Sequence, residues 1–391
     1  MIDKRLKKYF SVVKNSSLFK EFYKNIDTQN DAPVMEKHIL RKILKTQFDI
    51  QTESKGVYLV RSGGSSAKPL IFPVDIQENL HQRKLLAIEL LKARIFSPKS
   101  IVLNVFSYQE MYRSAAILDD ILERCDATTI PVSSQASYEA MYHLGRNFGV
   151  NTIIGTPSML ALLAKYVLDN SLSLKIDNLL FAGEYLLDSQ IKLFQKVFET
   201  KQIYSLYGSA ETGIWGWSNH SDNLTVYKTL DDVIIEVEQP DEKGNGLIVV
   251  TNLIRKRFPL FRYAMGDIGK LEYRDNKQVL TLKSREAKSF SIQASSYFLN
   301  DFDWLLESVS RFQIQLSSCS PVQIEILFLL VKDSFNKKNT DKILPKMTEK
   351  LTSIFGVNAL KIKLTLKFVS EFDLYSNKTT SKTPNIVDFR H

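Results

Sequence analysis

Between residues 101 and 208 the chain alternates strand-like and helix-like stretches, and this constrains its fold more than any other feature. IVLNVF (101–106), ATTIPV (127–132), NTIIG (151–155), NLLFAG (178–183) and QIYSLYG (202–208) are short, apolar and rich in β-branched residues. Between them, residues 110–124, 137–148, 157–169 and 188–199 carry apolar positions at helical spacing, with Pro157 in a first helical turn. Apolar strands alternating with helices predict a parallel sheet whose crossovers are helical. Ligands of such sheets bind beyond the carboxyl ends of the strands, so the loops at those ends are where chemistry is sought.

The flanks have other characters. Residues 1–50 read as helical, with Leu6, Phe10 and Val13, then Ile39 and Ile43, at helix-like spacing. VYLV (57–60) is a short strand running into the small-residue loop SGGSSAKP (62–69), and a long helix is expected from about 75 to 94. After about residue 223 short β runs dominate (LTVYK, VIIEVE, LIVVTN, IGKLEY, QVLTLK), which predicts an antiparallel or barrel-like sheet. From about 284 a third pattern follows: strand 289–294, helix 299–309, strand 322–330, helix 340–355 and strand 360–368. The expected fold class is α/β, with mixed and parallel sheets flanked by helices. The expected division is a large N-terminal domain over 1–284 and a small, mobile α+β domain over 285–391. The first comprises an α/β core to about 222 and a β-rich subdomain over 223–284.

Composition removes several function classes. At 44% hydrophobic and 24% charged residues the chain can bury a core, so disorder is not expected. No run of about 18 apolar residues exists and MIDKRLKKYF lacks the apolar centre of a signal peptide, so no membrane contact and a cytoplasmic location are expected. Cys125 and Cys319 are far apart and make no CxxC pair, which excludes a thiolate zinc cluster. The net charge is +9, and the first 50 residues hold 11 basic against 6 acidic side chains. That surplus reads as a solvated helical face. There is no zinc-finger spacing or basic–aromatic repeat, so nucleic acid is not expected as a partner.

Glycine is scarce, 15 in 391 residues, and gathers in the loops that follow strands. SGGSSAKP offers two glycines, three hydroxyls and a lysine, a composition able to wrap a polyphosphate, although its spacing is not that of a Walker loop. FAGEYL (181–186) and YGSAETG (207–213) each end a strand with a glycine near a glutamate. Two such carboxylates on neighbouring loops suit a metal or a polar ligand. RYAMGDIG (262–269) places Asp267 between glycines, a pattern equally suited to a turn.

In this order the segments resemble the adenylate-forming superfamily of acyl-CoA synthetases, luciferases and peptide-synthetase adenylation domains, and within it the phenylacetate–CoA ligase branch. SGGSSAKP is similar to the family's phosphate loop, FAGEYL to its Gly-Glu segment, YGSAETG to its Tyr-Gly-x-x-Glu signature and RYAMGD to its Tyr-x-x-Gly-Asp segment. IPVS (130–133) and GTPSML (155–160) match intervening segments, and SKTPNIVDFR (381–390) matches the closing one.

The resemblance implies that Ser62, Gly63, Gly64, Ser65, Ser66 and Lys68 contact ATP phosphates. It implies that Gly183, Glu184 and Tyr207, with Gly208 and Ser209 beyond, flank the adenine. Glu211 would ligate Mg²⁺, Asp267 would accept from the ribose hydroxyls with Arg285 beside it, and Lys382 would be the catalytic lysine. Phe106, Tyr108, Trp215 and Trp217 follow strands where the family lines its acid pocket, and an aromatic slot for an aryl or other hydrophobic acid is expected there. The implied activity is ATP-dependent formation of an acyl-adenylate with release of pyrophosphate. Acyl transfer follows, to a thiol of CoA or a carrier-protein phosphopantetheine. The alternatives are transfer to an amine or hydroxyl, or a homologue that only binds nucleotide. A homodimer is also allowed. The chain departs from the family at the expected hinge. Ser284 and Ala294 stand where the family has glycine, and Ala287 where it has an acidic residue.

Overall fold

The computed structural model describes residues 2–49, 55–62, 70–219, 224–285, 289–292, 295–298, 302, 304–305, 308–320, 323–332, 340–355, 362–376 and 382–389. Among these, eleven strands form one sheet. Thr128–Pro131, Ile101–Asn104, Thr152–Gly155, Asn178–Ala182 and Gln202–Ser209 lie in that spatial order and run parallel. Successive residues of these strands face opposite cores. Val102, Ile154 and Leu180 join one buried cluster, while Leu103, Ile153 and Leu179 join another. Both faces are covered by helices, which explains why the strands read as unbroken apolar runs.

The helices begin where side chains can cap them. Asp75 accepts the Glu78 amide at 3.0 Å ahead of helix Ile76–Lys92, and Ser137 accepts the Ala140 amide at 3.1 Å ahead of Tyr138–Asn147. Such caps contribute about 1 kcal/mol each. The helix expected over 110–124 starts only at Ser114. Residues 109–112 close a tight turn instead, with Glu110 and Met111 both at positive φ.

Beyond Gln202–Ser209 the same sheet continues with antiparallel strands. Gly213–Asn219, Val226–Thr229, Lys277–Arg285, Tyr263–Arg274, Gly246–Asn252 and Val233–Glu238 follow one another outward. The β runs after 223 are therefore antiparallel as expected. They extend the parallel sheet through Gly213–Asn219 rather than closing into a barrel. Tyr227 packs on Tyr207 with ring centres 5.2 Å apart and shares a 2.8 Å hydrogen bond with Ser205. Burial, with Asp267 adding, pushes its phenol up to about 12. The neutral form is thus favoured by folding, and this contribution is complete below the unfolded value of about 10. It is lost as pH rises toward 12, so the urea midpoint should fall over that interval, and Tyr227→Phe should flatten the fall.

A two-stranded hairpin, Val57–Arg61 with Ile71–Asp75, brackets the Gly/Ser loop, and the helices Ile2–Asn15 and Lys37–Gln47 pack over Phe258, Phe261 and Tyr263. A separate four-stranded sheet follows the order Ile362–Val369, Gln323–Lys332, Val309–Ser320, Ile386–Asp388. With helix Thr340–Phe355 it buries Ile314, Leu316, Phe328, Leu330, Leu351 and Phe355. The helix expected over 299–309 is contradicted at its end, where Val309 begins a strand of 12 residues. The cause is the period-two pattern of Phe312, Ile314 and Leu316 alternating with Gln313 and Gln315.

Candidate functional site

The parallel register sets Ala182 beside Leu206, so Gly183 and Glu184 leave the sheet next to Tyr207. Gly183 has φ +84°, a conformation that disfavours any side chain. A Cβ built there would lie 2.8 Å from Lys382 Cε and 2.9 Å from its Nζ. Lys382, brought from the far end of the chain, therefore rests against the backbone at this strand end. Its ammonium stands 6.0 Å from the centre of the Tyr112 ring. On the other side, the Tyr207 hydroxyl donates to Asp267 Oδ2 at 2.5 Å, and Asp267 is buried. The residue facing Asp267 across the antiparallel pair is Arg285. Thus Gly183, Glu184, Tyr207, Asp267 and Lys382 come together from four separate stretches of chain.

Glu211 is held differently. The chain folds back sharply between Gln202–Ser209 and Gly213–Asn219, so closely that a Cβ at Gly208 would lie 2.1 Å from the Gly213 carbonyl oxygen. The turn is gripped through its carbonyls. Arg255 Nη1 donates to Glu211 O at 2.9 Å. Gln82 Nε2 donates to Ile214 O at 2.9 Å, and Asn252 Nδ2 to Thr212 O at 2.8 Å. Arg255 also donates to Gln82 Oε1 and Asn79 Oδ1. Ser209 turns its hydroxyl back onto the Thr212 amide at 3.1 Å.

Glu211 is only 4% exposed, and its Oε1 has no hydrogen-bond partner. Lys37 Nζ is 3.8 Å from that oxygen. Tyr263 is hydrogen-bonded to the carboxylate, and burial first, then Glu211, holds its phenol well above the ordinary range. Lys37, Gln82, Asn252 and Arg255 were not anticipated from the sequence. The one legible signal was on helix Ile76–Lys92, where Asn79, Gln82 and Arg83 at i, i+3 and i+4 are polar yet buried.

Other expected site residues sit less simply. Ser62 is buried and its hydroxyl accepts the Leu70 amide at 2.9 Å, closing the base of the hairpin loop. Gly63, Gly64, Ser65, Ser66 and Lys68 lie outside the described residues, as do Ala287 and Ala294. Glu184 is engaged by donors of the chain itself. Its carboxylate accepts from Ser158 N–H at 2.9 Å, Ser158 Oγ–H at 2.6 Å and Thr383 N–H at 2.6 Å.

The four aromatics expected to form a slot are not gathered into one. Phe106, Trp215 and Trp217 are buried within the main core, and Tyr108 is 55% exposed. Trp215 is edge-on to Tyr207, ring centres 4.9 Å apart, and donates Nε1–H to Thr212 Oγ1 at 3.1 Å. Trp215→Ala should therefore cost about 3–5 kcal/mol of stability, read as a lower urea midpoint. A residue lining an open slot would leave that midpoint nearly unchanged.

No protein-family model matches the chain. A curated relative, the indoleacetate–lysine synthetase of Pseudomonas savastanoi, is 31% identical over 168 residues. That stretch is 42% of this chain, and the chain spans 40% of the relative's length. The fold is similar to that of a 2-hydroxyisobutyryl-CoA ligase solved in the postadenylation state with its acyl-AMP. The TM-score is 0.75, with 15% identity, over 100% of this chain and 89% of that one. Against the same ligase in its thioesterification state, at the same identity and coverage, the TM-score is 0.63. Against ATP-bound MatB from Rhodopseudomonas palustris it is 0.57, at 13% identity, over 83% of this chain and 66% of that one. The large mixed sheet with its flanking helices, and the separate C-terminal sheet, give the chain the same fold as the 2-hydroxyisobutyryl-CoA ligase.

Proposed function

We propose that this chain activates a carboxylic acid of aryl or hydrophobic character as its acyl-adenylate and then transfers the acyl group. The observation that carries the reading is Lys382 seated against Gly183, beside the buried Tyr207–Asp267 pair. In the reaction a carboxylate oxygen bonds to the α-phosphorus of ATP. The bond from that phosphorus to the bridging oxygen breaks, and pyrophosphate leaves. Two negative groups must approach, and the Lys382 ammonium would offset the charge that develops between them. Asp267 would accept from the ribose hydroxyls, with Arg285 at its side. Gly183, with the neighbouring Tyr207, Gly208 and Ser209, would border the adenine. Ser62, Gly63, Gly64, Ser65, Ser66 and Lys68 would surround the phosphates.

Glu211 fits a hard cation, because its Oε1 is buried without a hydrogen-bond partner. Among the described residues no group of three or more His, Cys, Asp or Glu could hold a metal unaided. A Mg²⁺ at Glu211 would therefore complete its shell with phosphate oxygens and water, the usual arrangement for this ion. When bound it would neutralise phosphate charge. The chain's own part is to fix the carboxylate through the gripped turn.

Acid-dependent exchange of pyrophosphate into ATP, over a panel of aryl and fatty acids, is the test. Exchange with no member of the panel would sink the reading. A second reading concerns the acceptor. One fold neighbour is a CoA ligase solved in its thioesterification state, which favours a thiol of CoA or of a carrier protein. The curated relative's name pairs an aryl acid with lysine, which favours an amine. Product analysis with CoA and lysine offered together separates the two.

A further inference from the structure

A closed ring of hydrogen bonds joins the C-terminal sheet to the large one beside Lys382. Arg311, on strand Val309–Ser320, is 5% exposed and donates from Nη2 to Ser158 Oγ at 3.0 Å and to Thr383 O at 2.5 Å. Ser158 Oγ–H passes on to Glu184 Oε2, and Glu184 Oε1 accepts the Thr383 amide at 2.6 Å. Nη1 of the same arginine is anchored on Glu371 at 2.8 Å. Thr383, the residue after Lys382, is thus held on both sides, its amide by Glu184 just beyond a strand of the large sheet and its carbonyl by Arg311. Gln313, fully buried, fixes the next stretch through Pro384 O at 2.8 Å.

We propose that Arg311 is a positioning residue for Lys382, locking the lysine's backbone against Gly183 during adenylation and only then. The ring exists only while the two sheets are docked as seen here, since Ser158 and Glu184 lie on one side and Arg311, Glu371 and Thr383 on the other. The planar guanidinium, with five N–H donors in a fixed fork, serves a carboxylate, a hydroxyl and a carbonyl at once. The inference rests on the proposed adenylation, so its test carries a readout independent of activity.

The experiment uses the full chain with indole-3-acetate as probe acid. Arg311→Ala should lower kcat for pyrophosphate–ATP exchange at least about 30-fold while KM for ATP moves less than about threefold, since a misplaced group costs rate rather than binding. Arg311→Lys should recover part of it. In a Lys382→Ala background, Arg311→Ala should lower exchange no further, because a residue acting through the lysine has nothing left to position. Deuterium uptake by the peptide covering 382–385 should rise in Arg311→Ala and in Ser158→Ala. The Ser158 variant keeps the test open if the arginine variant folds poorly. An equal loss in the Lys382→Ala background, or unchanged uptake in both variants, overturns the proposal. Absence of exchange in the unmodified protein overturns the adenylation reading, and with it the catalytic role of the ring. The uptake comparison then still reports whether the ring holds the segment.

Discussion

Glu211→Gln should lower acid-dependent pyrophosphate–ATP exchange by about 10²–10³-fold, the scale of removing one stabiliser of developing charge. The substitution keeps shape and removes charge. The turn that carries the residue is held through the backbone carbonyls of 211, 212 and 214, not through the carboxylate, so folding should persist. An amide oxygen can still accept from Tyr263. The urea midpoint of the variant should accordingly stay close to that of the parent. The carboxylate atom with no hydrogen-bond partner is the one at stake, since an amide at that position cannot ligate a cation with the same strength. Exchange at the parent rate would remove Glu211 from the chemistry.

Lys382→Ala should lower the same exchange by a comparable factor and spare the second half-reaction. The lysine approaches Gly183 from the C-terminal sheet, so it touches the site only in this docked arrangement. Consumption of pre-formed indoleacetyl-adenylate by an added acceptor needs no attack on ATP, and its rate should change less than about threefold. Equal losses in both half-reactions would mean that the lysine supports the fold or the nucleotide rather than the first bond-making step.

The parallel sheet was legible because its inner strands are buried on both faces, which leaves a continuous apolar run such as Ile153-Ile154 or Leu179-Leu180. Strand Val309–Ser320 was not, because its polar residues Arg311 and Gln313 are buried through hydrogen bonds to distant parts of the chain, which the sequence does not display. Trp215 and Trp217, expected in an acid pocket, lie on strand Gly213–Asn219. Trp215 and Trp217 are two residues apart, so on a strand they share one face, and here that face is the core. The site shows the same division. Residues that lie in one loop with a glycine could be picked out in order. Partners from distant elements could not, and Glu184 is the instance, since Ser158 is 26 residues away and Thr383 is 199. A carboxylate between glycine and tyrosine reads as a ligand contact until its donors are known.

The grip on the Glu211 turn has a consequence for how this site is inherited. Gln82, Asn252 and Arg255 meet no nucleotide in the proposed arrangement, yet they hold the backbone on which the carboxylate stands. Substitution at any of them would unseat Glu211 while leaving every recognisable sequence signature intact. A descendant could therefore lose the activity silently, with its loops unaltered, through a change in the scaffold beneath them.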